Sequence, residues 1–207
     1  MKCFASGNID MNMSRSQYQT YCKRQFTEEV FNLCDTLDKL KNTTAHDLLV
    51  RSNQLYSTPV DLKEILNKIN ISCLPYDFKD DGSILGASVA AGNQAAIFYR
   101  KDEPEGSHRY RFTIAHEIAH CCLGHLDPSI SAVHYRRVGD VSDTAEIAAN
   151  IFAGELLIPK DSLLSVIQKL YVPSLKTIAE IFAVSENVME KRLDYLGVTN
   201  WIKGYNF

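Results

Sequence analysis

Apolar residues recur at intervals of three and four along much of this chain, with short alternating stretches between them. From Ser14 to Leu40 the positions Tyr18, Cys22, Phe26, Val30, Leu33, Leu37 and Leu40 keep the period of an amphipathic helix. Asn42, Thr43 and Thr44 interrupt it, and the pattern predicts a second short helix from Ala45 to Tyr56. Thr58 followed by Pro59 reads as an N-cap with proline at the first helical position. The helix this opens, Val60 to Ile69, gathers Leu62, Ile65, Leu66 and Ile69 on one face. Ile71 to Tyr76 and a gap at Asp80, Asp81 and Gly82 come next. Two β-prone stretches, Gly86 to Ala90 and Ala95 to Tyr99, are separated by a hairpin loop. Helical segments follow near 108–124, 143–157 and 174–195.

This order predicts an α+β, mainly helical fold with a small antiparallel sheet. A helical N-terminal segment over 1–56, with 1–13 unstructured, precedes a main domain over 57–207. At 207 residues, 45% hydrophobic and 23% charged, the chain can bury a core, which excludes wholesale disorder. A net charge of −3 gives no general affinity for nucleic acid or an anionic membrane. No run approaches the ~18 apolar residues of a membrane span, and the first residues carry no apolar stretch of signal-peptide length. The expectation is a cytoplasmic protein whose six cysteines are reduced. None of them forms a CxxC pair, so a thiolate zinc site of the usual spacing is excluded.

The chemistry concentrates at His116-Glu117-Ile118-Ala119-His120, an H-E-x-x-H motif inside a helical pattern. Histidines four apart sit one turn above each other and can reach the same zinc ion. Glu117 lies about 60° around the helix from His120. It therefore flanks the metal, placed to take a proton from water and return it to a leaving amine. A third ligand at the end of H-E-x-x-H-x-x-G-x-x-H fails, because Leu123 and Leu126 stand at the required positions and Gly124 and His125 each miss by one. Glu146 on the later helix is the better candidate, ahead of Asp140, Asp143 and Glu155. Asn150, one turn beyond it, is placed to hydrogen-bond a ligand histidine.

Residues 111–125 and 146–159 together resemble the signature of ImmA/IrrE-type metallo-endopeptidases, a gluzincin-type arrangement, and the likeness covers roughly 57–198. It implies a zincin-like domain holding one Zn2+ per chain at His116, His120 and Glu146, with Glu117 catalytic. It also implies a cytosolic regulatory protease whose protein substrate is a DNA-binding repressor. The rival is a non-proteolytic module that sequesters a repressor or toxin partner through its helical segments.

Other signals are weaker. Residues 175–189 read like a helix-turn-helix, but the charges between 176 and 194 are three positive and four negative, which disfavours DNA and favours packing or protein docking. His108, Tyr110, His134 and Tyr135 are alternative donors to a tetrahedral oxyanion. His125, Cys121 and Cys122 read as structural residues; Arg109 and Arg111 are candidates to pin a substrate carboxylate but read rather as solvated surface.

Overall fold

The computed structural model describes residues 37–91, 93–126, 133–137 and 144–202, with backbone alone for 91 and 133–137. Most of the Ser14 to Leu40 helix, Cys3, Cys22, Cys34, Asp140 and Asp143 lie outside the described residues, as do the side chains of His134 and Tyr135.

Two short helices come first, α1 (Leu37–Leu40) and α2 (Ala45–Arg51). Thr44 and Asp47 form a capping box that opens α2. This helix ends at Arg51, earlier than the apolar pattern suggests. Helix α3 (Leu62–Ile69) starts later than expected, because Asp61 rather than Thr58 is the cap, its carboxylate accepting from the Lys63 and Glu64 amides. An aspartate just before the apolar run supplies the first amides with a stronger acceptor than a hydroxyl three residues upstream.

Strands β1 (Ser72–Tyr76), β2 (Ile84–Ala91), β3 (Gln94–Arg100) and β4 (Val133–Arg137) form one sheet in the order β1-β3-β2-β4. The β2–β3 hairpin and the β2–β4 pair are antiparallel, whereas β1 runs parallel to β3. The sheet is thus mixed, and neither β4 nor the parallel pairing follows from the alternation. The chain between β1 and β3 holds a whole strand, so β1 lies beside β3 by a connection that periodicity cannot reveal.

Among the described residues, five further α-helices follow the hairpin or β4: α4 (His108–Leu123), α5 (Thr144–Leu157), α6 (Lys160–Lys169), α7 (Leu175–Phe182) and α8 (Glu186–Leu196). Helix α4 is buried continuously from Thr113 to Cys122, which makes it the central element of the fold. Ile114, Ile118, Phe152, Leu156, Phe182 and Leu193 share one core with Leu37, Leu48 and Leu49, so the described part of the segment before residue 57 packs into the main domain. A second, smaller cluster of Phe78, Ile84, Ala87, Val89, Ala96 and Phe98 covers the other face of the sheet.

Two arginines lock the helices to their neighbours. Arg111 is not solvated surface: its guanidinium donates to the carbonyls of Ala183 and Val60 at 3.1 and 2.9 Å. Arg192, buried, donates to the Ile158 carbonyl at 3.1 Å and lies over the Tyr195 ring. These carbonyls lie beside helix ends, where burial without a donor would cost free energy. Among the described residues, no helix is long and apolar enough to cross a membrane.

Candidate metal centre

Helix α4 carries His116, Glu117 and His120, and α5 packs across it with Glu146 in its first turn, where the positive end of the helix dipole favours a carboxylate. The Nε2 atoms of His116 and His120 stand 2.9 Å apart, with the Glu146 carboxylate oxygens 3.1 and 3.3 Å from them. All three side chains are buried.

The outer nitrogens of both rings are also engaged. His116 Nδ1 meets Asn150 Oδ1 at 3.0 Å, and His120 Nδ1 meets His125 Nδ1 at 2.9 Å. An amide oxygen only accepts, so His116 donates from Nδ1 and presents the lone pair of Nε2 inward. His120 reaches the same tautomer if His125 accepts at Nδ1. Two imidazole lone pairs and a carboxylate then converge in a buried space. That donor set is compatible with a metal ion, and it is the one such group of His, Cys, Asp and Glu among the described residues.

The place of His125 follows from Gly124. This glycine ends α4 in the left-handed conformation, φ 73°, and the chain doubles back so that the His125 amide donates to the His120 carbonyl. Its imidazole is thereby set against His120. Sequence alone reads His125 as structural; the signal for more is the glycine before it, which returns the next residue to the last helical turn.

Glu117 is fully buried and faces β2. There Gly86 is required by close approach: a Cβ at this position would lie 2.5 Å from Thr113 Cγ2, 3.1 Å from the Phe98 carbonyl oxygen and 3.5 Å from Glu117 Oε1. Beside it the β2–β4 register shifts between Ile84 and Gly86. This bulge lets Ile84 and Ala87, three apart, both join the outer cluster, and it turns Leu85 toward the metal site. Gly86→Ala is therefore expected to destabilise the fold by about 1–3 kcal/mol through overpacking. Adding Thr113→Ser, which removes the offending methyl, recovers most of the lost stability in thermal unfolding. No recovery would place the strain elsewhere.

The remaining candidates separate cleanly. Cys121 and Cys122 are buried, and burial pushes Cys122 up to about 12 and Cys121 well above its usual range, so both are neutral core thiols. Tyr110 packs edge-on against Tyr99, and burial pushes its phenol up to about 12. His108 and Arg109 line a cavity of about 650 Å3 that opens onto His116, Glu146 and Asn150. Glu155 acts electrostatically on Arg192 and does not belong to the His116, His120 and Glu146 group. The helix-turn-helix-like segment is α7 and α8, with Ala183 ending α7 in the left-handed conformation, and α8 forms the far wall of that cavity.

A family model described as Peptidase_M78, IrrE N-terminal-like domain, matches residues 84–194. Among curated proteins none matches the sequence.

Proposed function

The chain belongs to the IrrE N-terminal-like family, a metallopeptidase family, and on that premise we propose that it is a zinc-dependent endopeptidase acting in the cytoplasm on a DNA-binding repressor or regulator. The observation that carries the proposal is the convergence of His116, His120 and Glu146 beside the buried carboxylate of Glu117.

In this reading His116, His120 and Glu146 hold the metal, and Asn150 and His125 fix the tautomers of the two imidazoles. When bound, zinc supplies a Lewis acid for the scissile carbonyl and for the attacking water. Glu117, one residue past His116, takes the proton from that water and passes it to the leaving amine. Its burial between α4 and β2 keeps the carboxylate in one place and away from competing solvent. His108, at the exposed mouth of the cavity, is the described candidate for stabilising the oxyanion.

Zinc analysis of full-length protein, followed by incubation with a co-encoded DNA-binding protein, tests the proposal. Near one zinc per chain and shortened products are expected. Zinc-free protein that instead forms an intact stoichiometric complex would establish the sequestering module in its place.

A further inference from the structure

Helix α8 hides a charge separation that its composition conceals. Asn187, Val188, Lys191, Arg192 and Tyr195 line the cavity, whereas Glu186, Glu190 and Asp194 form the neighbouring stripe, turned by about 100°. Arg192 is buried and committed to the Ile158 carbonyl, so the near-neutral balance of the segment resolves into one exposed cation on the groove side, Lys191, and an acidic stripe turned away from it. Across the groove, α4 adds Arg109. Arg109 is 67% exposed at its side chain and 3.7 Å from Glu103, a contact of little strength in solvent. Among the described residues lining the groove, Glu146 is the one carboxylate, and it faces the two histidines.

Between these cations the walls are apolar. Phe112 from α4, Ile147 and Ile151 from α5 and Val188 and Tyr195 from α8 line the space next to His116. Ile147 is 47% exposed and Tyr195 61%, an exposure that a core-forming role does not explain. The bulge in β2 adds Leu85 to the same surface.

We infer that this groove is the specificity site, and that it takes a polypeptide segment placing a bulky apolar side chain beside the metal centre with Asp or Glu next to it, opposite Arg109 and Lys191. The inference rests on the endopeptidase reading for the fate of that segment, but not for its binding. It also narrows the substrate: if the target binds DNA, the bond cut lies outside its phosphate-contacting surface, because such surfaces are basic and this groove repels them.

The test uses full-length, zinc-loaded protein and three quenched peptides sharing one backbone: a central leucine flanked by aspartates, the same leucine flanked by lysines, and a central serine flanked by aspartates. The leucine–aspartate peptide is expected to be cleaved with kcat/KM about tenfold above either of the others, the charge preference narrowing at high salt. Arg109→Glu combined with Lys191→Glu, both exposed positions, should reverse the order of the two leucine peptides. The same preferences should appear in fluorescence anisotropy with Glu117→Gln protein, which reads binding without turnover. Cleavage with no charge preference, or a preference the double reversal leaves unmoved, overturns the groove assignment and leaves the protease reading standing. The binding preference without cleavage of any peptide by wild-type protein upholds the groove and overturns the protease reading.

Discussion

Replacing Glu117 by glutamine should leave zinc content unchanged and lower peptide hydrolysis by about 10²–10⁴-fold, the usual contribution of a positioned general base. The substitution is nearly isosteric, and the site admits little else: Glu117 is fully buried against β2, where the Gly86 backbone leaves room for no larger neighbour. A glutamine side chain there would keep the packing and lose only the capacity to accept and return a proton. Because a buried carboxylate is costly to desolvate, the variant should unfold at the same temperature as wild type or slightly higher. Metal analysis, thermal unfolding and kcat/KM on the same preparation separate the possibilities. A variant that retains wild-type turnover would remove Glu117 from the chemistry. One that loses zinc along with turnover would instead make it part of the metal centre.

The parts of this site carried by helical periodicity were legible in the sequence. His116 and His120 follow from four-residue spacing, and Glu146 and Asn150 from the same spacing on a second helix. The structure brings those four together because two helices crossing in a core can each expose only one face to the other. What was not legible depended on contacts between distant segments. Arg111 has the local signature of a surface residue, and only the approach of Val60 and Ala183 gives its guanidinium two carbonyls. The parallel β1–β3 pair, the β2 bulge and the tight fit at Gly86 are register facts, invisible to a period of two. The polarity of α8 was readable in principle, since its charges fall on two stripes. A net count over the segment averages them away.

Glu146→Ala should reduce zinc from near one per chain to a small fraction, whereas Asn150→Ala and His125→Ala should keep that stoichiometry at excess zinc and weaken affinity about 10–100-fold. The grading follows from what each side chain touches. The Glu146 carboxylate sets one oxygen beside each Nε2 atom, so its loss leaves two donors for an ion that needs at least three from the protein. Asn150 and His125 touch only the outer nitrogens, and without them the imidazoles remain but are free to rotate or change tautomer. Unfolding measurements give an independent readout, because an ion that binds only the folded chain stabilises it by about 2.7 kcal/mol at a hundred times its Kd. For a chain of 207 residues that raises Tm by roughly 5–10 °C. Wild type should show this zinc-dependent shift and Glu146→Ala should lose it. Asn150→Ala and His125→Ala should recover it at proportionately higher zinc. If Glu146→Ala still binds one zinc with the wild-type shift, the third ligand is another residue. If His125→Ala binds zinc as wild type does, the contact with His120 that Gly124 creates is packing alone.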